Sequence, residues 1–82
     1  MPFPLIPVII GAIVAIVTIG GAITIAIIIK EMQKRNISGC IVDLIDGCEN
    51  KIKLNDLYSS KTFKIEGESI SDDLYEGMRI YI

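Results

Sequence analysis

From Pro7 to Ile29 the chain reads PVIIGAIVAIVTIGGAITIAIII, 23 residues with no charge and no side chain more polar than threonine. A helix on the surface of a globular protein shows an apolar stripe, whereas this stretch is apolar all round. As a helix it would rise about 35 Å at ~1.5 Å per residue. That length crosses a hydrocarbon core of about 30 Å with some tilt to spare. In lipid a lone span must satisfy its own backbone, so it has to be helical despite its β-branched Ile, Val and Thr. The fold class this predicts is membrane α plus small β: one N-terminal transmembrane helix, then a small antiparallel β-rich domain of about four strands.

Three segments follow. Residues 1–6 belong to a proline-rich, extended lead-in, because each proline fixes its own φ and disfavours α in the residue before it. Residues 7–36 form the span and a basic juxtamembrane extension, ended by Asn36, Ser38 and Gly39. Residues 37–82 form the β-rich domain. No Lys or Arg precedes the apolar run, and the run is longer than the core of a secretory signal, so the span is expected to be retained. Residues 30–36 carry three positive charges and one negative, a balance of +2, while residues 37–82 carry five Lys/Arg and nine Asp/Glu, a balance of −4. With Lys30, Lys34 and Arg35 after the span, the positive-inside bias puts the N-terminus outside and the C-terminal domain in the cytoplasm, or on the equivalent side of a virion membrane. The acidic tail excludes a basic nucleic-acid footprint.

Small residues recur along the span at Gly11, Ala15, Thr18, Ala22 and Ala26, steps of 4, 3, 4 and 4 that share one helical face. Small faces let helices approach closely in lipid, so these residues form the predicted helix-packing interface.

Beyond Ile37 the periodicity changes to that of strands. Residues 40–45 and 51–54 flank Asp46-Gly47 as a hairpin. A two-residue Asp-Gly turn would pair Ile45 with Cys48. A five-residue loop, Asp46–Asn50, would pair Ile45 with Lys51, Leu44 with Ile52, Asp43 with Lys53 and Val42 with Leu54. The second register gathers Val42, Leu44, Ile52 and Leu54 on one face and sets Asp43 across from Lys53, so it is preferred. Residues 62–66 and 78–82 alternate as well. The predicted core is Val42, Leu44, Ile52, Leu54, Phe63, Ile65, Leu74, Met78, Ile80 and Ile82. Ser71 with Asp72-Asp73 reads as a helix-start signal, and Gly77 closes that turn.

Candidate chemistry is sparse. Cys40 and Cys48 fall at different levels of the hairpin, too far apart for a disulfide, and without histidine they cannot complete a zinc site alone. Glu66, Glu68, Asp72, Asp73 and Glu76 lack the spacing of a calcium loop and read as a solvated acidic face. Residues Gly67-Glu68-Ser69-Ile70-Ser71-Asp72, with Gly77 and the strand Arg79–Ile82 beyond, resemble the nucleophile box of the LexA-like and signal-peptidase serine proteases. The resemblance implies that Ser69 is the counterpart of the nucleophile. Ile70, Asp72 and Met78 depart from the pattern, and no lysine follows the box to activate the hydroxyl.

The expected function is therefore non-enzymatic: a single-pass structural or assembly subunit anchoring a β domain to the bilayer, in a membrane complex or a membrane-containing phage or virus. Its expected partners are the lipid bilayer, itself, and other membrane or shell proteins, with no nucleic acid, small-molecule substrate, cofactor or metal. The alternatives are a pilin-like filament subunit and a degenerate membrane-anchored signal-peptidase-like protease.

Overall fold

A computed structural model describes residues 14–82. The elements are β1 (Ala15–Thr18), β2 (Ala22–Ile23), α1 (Ile25–Lys34), β3 (Gly39–Asp46), β4 (Lys51–Asp56), β5 (Thr62–Glu66), β6 (Ser69–Ile70) and β7 (Arg79–Tyr81). Among the described residues five strands form a mixed sheet in the order β1-β5-β4-β3-β7, and β2 pairs with β6 beside it.

From Val14 onward the apolar run is thus two short strands and the first half of a helix. Among the described residues no helix is long and apolar enough to cross a membrane. This overturns the transmembrane helix over 7–36, the single-pass localisation with its N-terminus outside and C-terminal domain cytoplasmic or in a virion membrane, and the membrane α plus small β class. Residues 7–13, Gly11 included, lie outside the described residues. The physical reason lies in the residue types. Ile16, Val17 and Thr18 favour the pleated conformation, and β5 supplies a partner for their backbone, with Ala15 to Thr18 parallel to Phe63 to Glu66. Gly21 then takes a φ of +90°, which the β-branched residues of the run adopt only at a cost. Thr24 closes the break in extended conformation, and its hydroxyl oxygen accepts a hydrogen bond from Ile27 N at 3.3 Å as the cap of α1. Helix α1 ends at Lys34 with Arg35 as its cap, two residues short of the expected boundary, and Asn36 supplies the stop. That residue adopts φ 57°, and Ile37 N donates to Met32 O at 2.9 Å while Asn36 N donates to Gln33 O at 3.3 Å. The pattern is a Schellman motif, and its hydrophobic contact pairs the buried Ile37 and Met32.

The parallel contact outlasts the five-stranded sheet. Ile19 N bonds Glu66 O, Glu68 N bonds Gly21 O and Ser71 N bonds Ile23 O, each at 2.9 Å, so the chain from Ala15 to Ile23 runs alongside Thr62 to Ile70. Residues 14–36 are therefore built into the β-rich unit.

The hairpin keeps part of its predicted register. Val42 faces Leu54, but an irregularity between Val42 and Leu44 pairs Leu44 with Lys53, Ile45 with Ile52 and Asp46 with Lys51. A bulge at Asp43 absorbs one residue and turns Leu44 to the opposite face. Leu44 is consequently exposed, and Ile45 packs against the core instead. The loop shortens to Gly47–Asn50, held by Asp46 Oδ1, which accepts from Cys48 N at 3.0 Å and Glu49 N at 3.1 Å. Ile82, expected inside, is also exposed, while Met78 is partly buried against the core.

The inner face of the sheet presents Val42, Ile52, Leu54, Phe63, Ile65 and Ile80, and β2 and α1 add Ile23, Ile28 and Met32. Cys40 joins this core, its Sγ 3.5 Å from Met32 Sδ, whereas Cys48 is exposed at the hairpin loop. Burial, aided by Asp56, pushes the Cys40 thiol up to about 11. Thiolate is the reacting form, so at pH 8 a water-soluble disulfide reagent is expected to modify one thiol per chain rapidly. Cys48→Ser should remove that phase. A fast phase surviving in Cys48→Ser would place Cys40 at the surface.

Candidate interaction surface

Strand alternation that buries Phe63 and Ile65 must turn Thr62, Lys64 and Glu66 outward, and the same parity turns Lys51, Lys53 and Asn55 outward on β4. The registers align these residues across strands. Ile16 on β1 stands beside Lys64 on β5, Lys64 beside Lys53 on β4, and Lys53 beside Leu44 on β3. The row Ile16–Lys64–Lys53–Leu44 spans three inter-strand spacings, about 14 Å at ~4.8 Å each. Its ends are apolar and open to solvent, Ile16 being 58% and Leu44 52% exposed. Its centre sets two lysines directly opposite each other, a like-charge pairing that destabilises a sheet. Lys53 is partly compensated by Asp43 at 3.5 Å, across the bulge. Among the described residues Lys64 forms no ion pair.

The flanking rows complete the face. Thr18, Glu66, Lys51 and Asp46 lie on one side, and Lys51 is bridged to Glu49 at 3.0 Å. On the other side run Thr62, Asn55, Ile41 and Arg79. Tyr81 lies opposite Gly39, with Tyr58 close by: a side chain added at Gly39 would come within 3.0 Å of Tyr81 and 3.1 Å of Tyr58. Both rings remain more than half exposed. Aromatic rings covering a strand glycine stabilise a sheet, and exposed tyrosines are also favoured contact residues in interfaces. Helix α1 lies on the inner side, with Ile28 and Met32 in the core.

The residues singled out in the sequence fall elsewhere. Ala15 and Thr18 are on β1, Ala22 on β2 and Ala26 on α1, so these small residues share no helix face. Lys30 is exposed on α1, and Lys34 and Arg35 reach back to the buried Glu31 at 3.4 Å and 2.7 Å. Burial raises the pKa of Glu31, but hydrogen bonds from Arg35 and Lys34 and their charges outweigh it and hold the carboxyl below its usual value. These cations thus serve a local ion-pair cluster. Ser69 is exposed at the start of β6, opposite Ala22. Of the acidic segment, Glu76 accepts a hydrogen bond from Ile45 N at 2.9 Å through its carboxylate. Among the described residues no group of three or more His, Cys, Asp and Glu is arranged to hold a metal ion.

The outer row escaped the sequence reading for two reasons. Composition places Ile16 in a helix, and period-two alternation places Leu44 inward because a bulge has no reliable sequence mark. The alternation of Lys51-Ile-Lys-Leu and Thr-Phe-Lys-Ile-Glu66 did carry the outward orientation of Lys53 and Lys64. No family model, curated protein or solved structure matches this chain.

Proposed function

We propose that the protein is a non-enzymatic assembly subunit that uses the outer face of its sheet to dock onto an acidic, partly apolar surface of a neighbouring protein. The carrying observation is the cross-strand row Ile16–Lys64–Lys53–Leu44, in which two exposed aliphatic side chains bracket an opposed lysine pair. Like charges placed opposite one another weaken the isolated sheet. A carboxylate from a partner, set between Lys64 and Lys53, would relieve the repulsion, while Ile16 and Leu44 would bury apolar area on either side. Charge complementarity across an interface fixes register and partner choice, and the two flanking aliphatic side chains add apolar contact on either side of the charged centre.

This assignment makes stability and binding move in opposite directions. Lys64→Glu replaces a repulsive cross-strand pair with an attractive one and should stabilise the isolated chain by about 0.2–1 kcal/mol, raising Tm by up to several degrees at roughly 4–8 °C per kcal/mol for a chain this size. The same change presents a negative charge to an acidic partner and should weaken assembly by about tenfold or more. Lysine acetylation footprinting on the native assembly and on the purified chain provides the direct test. Lys53 and Lys64 should be protected in the assembly relative to Lys30. Equal labelling of Lys53 and Lys64 in both states would sink the assignment.

A further inference from the structure

At the starts of β1 and β5, below the C-terminal end of α1, a cleft of about 390 Å³ opens at the edge of the sheet. That volume lies within the range of about 300–1,000 Å³ usual for small-molecule sites. Val14, Ala15, Ile37 and Phe63 give it an apolar wall, and two cations, Arg35 and Lys61, stand against that wall. Val14 and Ala15 offer the accessible part of that wall, and the buried Ile37 and Phe63 back it from the core. The Arg35 guanidinium lies 4.9 Å from the centre of the Phe63 ring, within cation–π range. Its Nη1 donates to Glu31 Oε1 at 2.7 Å and to Glu31 O at 3.3 Å, which orients the planar group. A guanidinium carries five N–H donors in a fixed fork. Among the described residues Nε and Nη2 of Arg35 make no hydrogen bond. Lys61 is exposed and forms no ion pair among the described residues. Glu31, the carboxylate bound to Arg35, is engaged by Lys34 as well, at 3.4 Å.

An apolar wall ending in two incompletely satisfied cations is complementary to an amphipathic anion. The geometry points to a binding site for an aliphatic carboxylate, its head group between Lys61 Nζ and the open edge of the Arg35 guanidinium, its chain lying along Val14 and Ala15 beside the buried Ile37 and Phe63. A planar guanidinium already oriented by Glu31 suits a carboxylate because its Nε–H and one Nη2–H lie parallel along one edge and can bind both oxygens without further loss of freedom. This site lies at the strand ends and does not rest on the docking surface proposed above.

The test is a titration of the full chain with decanoate, followed by amide and methyl NMR, with decanol as the uncharged counterpart. Decanoate should shift the signals of Ile37, Lys61 and Phe63, and decanol should bind more weakly. Lys61→Gln should weaken decanoate binding about two- to fivefold, the range for a partly exposed charge pair, while Lys61→Arg should retain it. Lys61 is exposed and outside the core, so an unchanged melting curve verifies that both variants fold. Equal affinity for decanol and decanoate, unchanged affinity in Lys61→Gln, or an absence of shifts at Ile37 and Phe63 would each overturn the assignment.

Discussion

Phe63→Ala is expected to remove about 3–5 kcal/mol of stability, the usual loss when a fully buried aromatic ring is truncated. Total stabilities of single domains lie near 5–15 kcal/mol, so the variant should be at or close to unfolding at room temperature. Phe63 is 1% exposed on β5, between Leu54 on β4 and Ala15 on β1, with the Arg35 guanidinium above its ring. Truncation opens a cavity where two strands and the helix terminus meet and also removes the cation–π contact. Phe63→Leu retains most of the volume and should lose markedly less. Urea unfolding followed by far-UV circular dichroism and tyrosine fluorescence measures both, the chain having no tryptophan. A loss below about 1 kcal/mol for Phe63→Ala would mean that the ring is not in a packed core.

The second large effect concerns the parallel contact between the two halves of the chain. Gly67→Val should destabilise by about 1–3 kcal/mol or more, the cost of forcing extra atoms into a closed space. A Cβ at Gly67 would stand 2.9 Å from the carbonyl oxygen of Gly21, 2.9 Å from Ile23 Cγ1 and 3.3 Å from Ile19 Cγ1. The first of these is backbone, which cannot rotate away. Gly20→Ala is the matched control, because nothing lies within 4 Å of its added Cβ. It should be neutral or stabilising by about 0.4–1 kcal/mol, through lost freedom in the unfolded chain. If Gly67→Val melts with the wild type, β2 and β6 are not neighbours. The pair of substitutions therefore examines the feature that most separates this fold from a helical apolar run.

Much of the β-rich half was legible residue by residue. Alternation turned Phe63, Ile65, Ile52 and Leu54 inward, and all four are in the core. Asp46-Gly47 marked the hairpin and Asn36 the end of the helix, because local turn and capping chemistry decides both. The main departure within this half is local. Leu44 and Ile45 exchanged faces because the bulge at Asp43 adds a residue to one strand alone, and period-two reasoning inverts beyond such a point.

The apolar run departs from the expected helix for a different reason. Composition fixes that residues such as Ile23 and Ile28 must leave water, and it does not say whether lipid or protein receives them. Here the receiving surface is the inner face of strands 40 or more positions away for β1 and β5, as the Ala15–Phe63 pair illustrates. A strand's preference is set by the neighbours it packs against more than by its own residues, and these neighbours are distant in sequence. The outer row Ile16–Lys64–Lys53–Leu44 is of the same kind: its four residues come from four strands, and each is unremarkable in its own segment. Hydrophobic periodicity, turns and caps are local properties and can be read along the chain. Which strands become neighbours, and hence which side chains share a surface, follows from long-range pairing that no single segment encodes.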